Sequence, residues 1–524
     1  MNGGRKGVCY NALDLSGCRP VSDSFSVHRV FLAQSFMLKN GVYNVTGALV
    51  RGVITIATVP LLIAALGVDE YGTWSLVFAI LSLIVMVEGG LSVATTVSLS
   101  QDLAKVDARG LAETLTATVA VALLLATAIT GLVWGAAPLV AGLFPSLSAD
   151  QQQTVVAALS ISSLAIWPRL LQQVPLGIEQ AFRRFDLMSL LLTLQSLVTN
   201  LGMLLIAWRG GRVVALMQWQ AVMGGAMLIG HGLVAMYLLR GYAVRLRWNA
   251  SRSLHVLRFT TSTWLTLIGT TIFSQVDRLL VGALLGVRAL GAYAAITSVT
   301  TQINAFSALP VQPLLPELSH LAADPVGSER VRHAMRQAVL VNGVVALSAG
   351  AVLIVLAPIL IPVLIPAASA AEFGPPFQIA AAIYALYSLN AVGYFVLLGL
   401  GAVLPCMLIV AASGSAALLL IAVGGMLFGL PGALAGNAGY ILSLLLNRSA
   451  RRRLALEPGL WERWLRLPFI WFGCVSLIGV VAPPEPLLRL TLFGVATLLL
   501  VWWFLAQHYE SLLVSARRLG VKRK

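Results

Sequence analysis

The chain has 524 residues, 58% of them hydrophobic and 10% charged, with a formal net charge of +15. Its mean hydropathy is +0.88, whereas soluble globular domains carry roughly 25% charged residues, so a soluble globular protein is excluded. Apolar runs of about 20 residues recur along its length and are continuous rather than alternating, which excludes an outer-membrane barrel and predicts an all-α polytopic membrane protein.

In chain order, residues 1–36 are polar and mixed, with no apolar run long enough for a signal peptide, and read as a disordered cytoplasmic tail. Apolar spans follow at about 38–66, 72–98, 114–143, 152–175, 187–208, 213–239 and 258–285. They continue at about 290–316, 338–364, 375–398, 402–426, 429–447, 467–483 and 487–507. About fourteen transmembrane helices are predicted, each of the length that a ~30 Å hydrocarbon core requires. An even number puts both termini on one side.

Lys and Arg choose that side. Arg209, Arg212, Arg288 and Arg489 fall in one set of loops, and Arg51, Arg169 and Arg278 fall within spans. Every other Lys and Arg lies in the opposite set of segments or the termini, which places both termini in the cytoplasm. The net positive charge is thereby assigned to insertion and anionic lipid, not to nucleic acid. Four cysteines and six histidines are scattered without metal-ligand spacing, and no cofactor is expected.

An internal repeat is legible. "LIAALGVDEYG" (62–72) and "LVGALLGVRALG" (280–291) share a Leu-Gly pair followed by a second glycine. One offset carries Leu66-Gly67 onto Leu285-Gly286, Gly72 onto Gly291, and Leu99-Ser100 onto Leu318-Ser319. Two six-helix repeats in the same orientation are expected, packed about an axis along the membrane normal with a site between them. The organisation read from this is an N-terminal lobe over 37–250, a C-terminal lobe over 251–450, and an appended helix pair with a basic tail over 451–524.

Polar residues form stripes on four of the predicted helices. Asn40, Asn44, Gly47, Arg51, Thr55 and Thr58 share an arc of about 80° on the first, at 100° per residue. Glu88, Ser92 and Thr95 align on the second. Thr263, Thr266, Thr270, Ser274 and Asp277 align on the seventh, and Tyr293, Thr297, Thr301 and Asn304 on the eighth. In lipid such stripes face protein or water. Small hydroxyl residues there also serve ordinary helix packing, and an Arg51–Glu88 ion pair would be purely structural. The charges favour a net cationic, water-filled cavity between the two halves. Arg51, Arg169 and Arg278 are the candidate contacts to a phosphate-bearing substrate, because a guanidinium engages phosphate in bidentate fashion. Asn44 and Asn304 are candidate polar contacts in the same cavity. Asp277 and Glu88 are candidates for Na⁺ or proton coupling; Asp277 is expected to face the cavity and Arg278 its edge or a neighbouring helix.

"PLLIAALGVDEYGTWSLVFAILSLIVMVEGGLSVA" (60–94), "QVDRLLVGALLGVRALGAYAAITSV" (275–299) and "GIEQAFRRFD" (177–186) resemble the polysaccharide transporter, or O-antigen flippase, family. That family belongs to the superfamily that also holds multidrug and toxic-compound extrusion transporters and the lipid II flippase. The resemblance covers roughly residues 38–450. It implies two lobes around a cavity open alternately to each side, and translocation of an undecaprenyl-diphosphate-linked oligosaccharide across a bacterial inner membrane. It further implies a functional cavity arginine, for which Arg51 is the counterpart, and a lipid groove at the two extra helices. The expected partners are the lipid-linked glycan, membrane lipid, and polysaccharide polymerase or export proteins, with the chain itself a monomer.

Two other functions compete. A cation-coupled multidrug exporter would want an acidic cavity, and three arginines against two carboxylates in the spans argue the other way. A membrane enzyme acting on lipid-linked glycans would carry a large outer loop or an acidic metal motif. The outer loops here are short, and no Asp-x-Asp, Gly-rich phosphate loop or histidine cluster is present.

Overall fold

The computed structural model describes residue 47, residues 50–242 except 56 and 106, 247–311 except 272, and 329–365. It further describes 370–481 except 401, 485–498 except 486 and 496, and residue 502. The predicted tail at 1–36, Asn44 and the Leu318-Ser319 end of the repeat lie outside these residues.

The chain is helical throughout its described elements. They are α1 (Val50–Leu66), α2 (Val68–Ala104), α3 (Ala108–Gly142), α4 (Ala149–Ala181), α5 (Phe185–Trp208), α6 (Val213–Leu239) and α7 (Ala250–Thr271). Next come α8 (Phe273–Thr300), α9 (Gln302–Ala308), α10 (Glu329–Leu364), α11 (Ala370–Tyr387) and α12 (Ala391–Gly399). The last are α13 (Val403–Gly436), α14 (Leu445–Arg453) and α15 (Leu460–Val481). Nine helices among the described residues are long and apolar enough to cross a membrane. This is a multi-pass membrane protein; the predicted fourteenth span is helical over residues 487–495, and its end lies outside the described residues.

Local sequence explains where helices start and turn. Ser148 and Gln151 form a reciprocal capping box at the head of α4, and Asp107 caps α3 by accepting from the Arg109 amide. Gly67 separates α1 from α2 at φ 81°, and Gly286 bends α8 at φ 82°. An L side chain is strained there, so the Leu-Gly pairs of the repeat mark the same helix-to-helix turn in both copies. The long apolar run after Val403 turns at Gly429 and folds back on itself. Gly424 lies against Gly432, Gly436 against Ile421 and Gly439 against Ala417, so small residues let the eleventh and twelfth predicted spans touch backbone to backbone.

The helices form two bundles. α1 to α6 make the first, with α7 packed along α2 and α3, and α8 to α14 the second. Arg252 at the start of α7 donates to Asp102 at 2.7 Å, and Asn249 donates to Glu113 at 2.7 Å, so the connection between bundles is seated on the ends of α2 and α3. The bundles meet at the opposite end. Leu62, Tyr71 and Leu76 of the first share one buried core with Val281, Val287 and Leu290 of the second. Ser146, in the loop between α3 and α4, donates to the Gly282 carbonyl of α8 at 2.9 Å.

Helix α15, the predicted thirteenth span, docks on α10 at small residues. Gly343 lies under Leu465 and Gly350 under Phe472, and Gly479 packs on Ile354 and Val355. Pro358 lies inside α10 and has no amide hydrogen to give the Ile354 carbonyl. Gln378 donates to that carbonyl at 3.0 Å instead. Arg489, expected as a loop cation, is buried at 4% exposure and donates to the Val355 and Gly479 carbonyls at 3.2 and 2.7 Å. It caps the last turn of α15, where carbonyls have no helical partner.

Candidate functional site

Two cavities hold the candidate residues. The first lies inside the N-terminal bundle at mid-length of its helices and has a volume of about 380 Å³. Arg51 of α1 and Arg169 of α4 both line it. Arg51 is half-buried and donates to the Thr193 hydroxyl at 3.2 Å. Arg169 follows Pro168, which bars a regular hydrogen bond in the middle of α4. The lining also holds two aromatic rings, Trp74 and Phe78, and the amides Gln172, Gln173, Gln195, Asn200 and Gln220, with hydroxyl and aliphatic side chains such as Thr199 and Met203 between them. Gln172 donates to Gln195 at 3.1 Å, tying α4 to α5 across the floor. No carboxylate lines this cavity among the described residues. Two guanidiniums, several amides and two aromatic faces make a surface for an anionic, hydroxyl-rich ligand.

The second cavity lies inside the C-terminal bundle, at about 220 Å³. Asp277, Arg278 and Asn304 line it with Tyr384, Tyr387 and Tyr440. Asp277 is buried at 4% exposure. The Tyr293 hydroxyl donates to its Oδ2 at 2.9 Å and accepts from Asn437 Nδ2 at 3.2 Å; Tyr384 donates to Asn437 Oδ1 at 3.1 Å. The Arg278 amide donates to Asp277 Oδ1 at 2.7 Å. The two arms of α8, the end of α11 and the segment after α13 therefore converge on one carboxylate through two tyrosines and an asparagine.

Some expectations change. The three arginines do not share one cavity: Arg51 and Arg169 come together, while Arg278 lines the other. The reason is that α1, α4 and α5 enclose their own polar interior instead of turning every stripe to the boundary between bundles. Asp277 and Arg278 were expected to point to different places, yet both line the same cavity, because the tyrosines of α11 and the segment after α13 wrap around that end of α8. Glu88 lies within α2, and its side chain is outside what the structure describes, as is Asn44.

Several residues escaped the sequence reading. Gln172 and Gln173 sit three and four residues after Arg169, and Gln195, Thr199 and Asn200 repeat at helical spacing on α5, so this stripe was available to the same wheel argument. The pair Glu179–His231 was not singled out. Both side chains are fully buried, with His231 Nδ1 2.8 Å from Glu179 Oε1, joining α4 to α6. No periodicity pairs residues from two helices so far apart in sequence.

These features define a multi-pass helical membrane protein with two bundled halves and polar interiors. Residues 62–368, more than half of the chain, match the model of the family described as polysaccharide biosynthesis protein, and the chain belongs to that family. Comparison with curated proteins by sequence finds no match. Among solved structures, the fold is similar to that of the lipid II flippase MurJ in an inward closed conformation, with a TM-score of 0.71 and 14% identity over 89% of this chain and 99% of that one. It is also similar to an inward-facing multidrug resistance MATE family transporter of the MOP superfamily, at TM-score 0.64 and 13% identity over 77% of this chain and 94% of that one. A MOP superfamily transporter from Pyrococcus furiosus Vc1, described by the reversed polarity of its binding pocket, aligns at TM-score 0.55 and 15% identity over 80% and 95%. At these identities the likeness is one of fold.

Proposed function

We propose that this protein is a flippase that moves an undecaprenyl-diphosphate-linked oligosaccharide across the bacterial inner membrane by alternating access, with both termini cytoplasmic. The observation that carries the reading is the N-terminal cavity. Arg51 and Arg169 meet there with amides and aromatic rings and no described carboxylate. Such a lining suits a diphosphate and sugar hydroxyls, and it disfavours the organic cations that a multidrug exporter would carry. Membership in the polysaccharide biosynthesis family agrees with a glycan substrate. In this reading the chain is a transporter, not an enzyme, and its division near residues 250 and 450 separates two rocking lobes from an appended helix pair.

Coupling to Na⁺ or protons is assigned to Asp277, with Glu88 as the second candidate. Asp277 is a carboxylate buried in a membrane-embedded bundle beside a polar cavity, which is the setting in which intramembrane acids bind or release ions. Asn304 and Arg278 line that cavity with it.

Deletion of the gene followed by analysis of lipid-linked oligosaccharide on each face of the inner membrane tests the reading. Accumulation on the cytoplasmic face supports it. Normal distribution, with heightened sensitivity to cationic dyes, would transfer the protein to the drug-exporter reading.

A further inference from the structure

A third cavity, of about 530 Å³, lies away from both sites. It is formed where the start of α10, the end of the second bundle and the start of α15 come together, on the side of the membrane that carries the basic segments. Its floor is apolar, with Val339, Val392, Leu465 and Phe469 in the lining. Two arginines of α14 line it: Arg448 is exposed there and Arg451 pairs with Glu462. Among the described residues Glu462 is the one carboxylate of the lining, and its pairing with Arg451 leaves Arg448 without an acidic partner among them.

Trp461 supplies an independent observation. It lines the same cavity and is buried at 3% exposure, yet its indole N–H has no hydrogen-bond partner among the described residues. A buried indole N–H ordinarily finds an acceptor. The amides of the lining are committed elsewhere. Asn342 donates to the Ser307 and Ser388 carbonyls, and Asn447 donates to the Leu389 carbonyl while accepting from the Gly393 amide.

An exposed arginine, an orphaned donor and an apolar floor in one cavity match a molecule with an anionic head and a hydrocarbon chain. We propose that this cavity binds an anionic phospholipid of the cytoplasmic leaflet, with its phosphate at Arg448 and the Trp461 N–H and an acyl chain along Leu465 and Phe469. Basic side chains and tryptophan gather at this level of a bilayer for the same physical reasons. The lipid would fasten α15 to α10 and α14, a place distinct from the two cavities assigned to the transported molecule.

Native mass spectrometry of the full chain in detergent, titrated with phosphatidylglycerol and with phosphatidylcholine of the same acyl chains, tests this. Phosphatidylglycerol is retained in preference on the wild type, and Arg448→Gln or Trp461→Phe each lowers that retention about fivefold, the scale of one basic contact at a membrane surface. Equal retention of the two lipids would reduce the site to an apolar groove and overturn the proposal. So would unchanged retention in both variants, displacement by millimolar inorganic phosphate, or stronger retention of undecaprenyl phosphate than of phosphatidylglycerol. Should Trp461→Phe lower the yield of folded protein, Arg448→Gln decides alone, because that side chain is exposed.

Discussion

Gly72 and Gly291, equivalent positions in the two repeats, face one another where the bundles meet. A Cβ on Gly72 would collide with the Val287 carbonyl, and one on Gly291 with the Val68 carbonyl. Val68 and Val287 are themselves equivalent under the repeat, so the contact is symmetric. On the proposed orientation, with cytoplasmic termini, this contact lies at the outer end of the molecule.

Replacing either glycine by alanine must therefore push the bundles apart at that end. Transport is expected to fall severalfold for Gly72→Ala or Gly291→Ala at unchanged membrane abundance. A reporter cysteine at Ser146, placed in a background free of the native cysteines, should react faster with an impermeant maleimide added from outside. Unaltered labelling and transport would show that the contact is not a gate.

Arg51→Lys is expected to lose about an order of magnitude in transport, since a lysine keeps the charge and loses the bidentate geometry. Arg51→Ala with Arg169→Ala should abolish it, because both guanidiniums serve one cavity. Initial rates of glycan export at matched protein level are the measurement, and near wild-type rates in the double variant would remove the phosphate role.

Asp277→Asn can still accept from Tyr293, so the fold and substrate binding should persist. On the coupling reading, the variant transports down the substrate gradient but loses its response to an imposed Na⁺ or proton gradient. Tyr293→Phe, which leaves Asp277 without its hydroxyl donor, should weaken that response without removing it. A full gradient response in Asp277→Asn would make the carboxylate structural and move coupling elsewhere, with Glu88 next.

The Glu179–His231 pair makes a stability prediction. Glu179→Ala leaves a buried imidazole nitrogen without its partner and should cost roughly 1–3 kcal/mol, read as a lower melting temperature in detergent. Glu179→Gln, which can still hydrogen-bond His231, should cost much less. Equal melting of the two variants would mean that the pair contributes only by filling space.

The sequence made the spans and the repeat legible because both are written in local pattern: apolar length, and a Leu-Gly pair that demands a left-handed turn at Gly67 and Gly286. The polar face that carries Arg169 was also accessible, since Gln172 and Gln173 follow it at helical spacing. The separation of Arg278 from Arg51 and Arg169 was not. A helical wheel gives the direction of a side chain but not the neighbour it meets, and Asp277 is enclosed by Tyr384 and Asn437, far along the chain. The role of Arg489 was hidden for a related reason. Loop cations are ordinarily solvated, and nothing local reveals that the carbonyls of Val355 and Gly479 await a donor.

The central claim is movement of a lipid-linked glycan through the cavity that holds Arg51 and Arg169. Its most direct test is a proteoliposome assay with labelled undecaprenyl-diphosphate oligosaccharide, in which an impermeant glycosidase reports the fraction of glycan accessible from outside over time. The account predicts that wild-type protein equilibrates or reverses the leaflet distribution while the Arg51→Ala, Arg169→Ala double variant matches protein-free vesicles. Wild-type traces indistinguishable from protein-free vesicles, in preparations that transport a cationic dye, would contradict it.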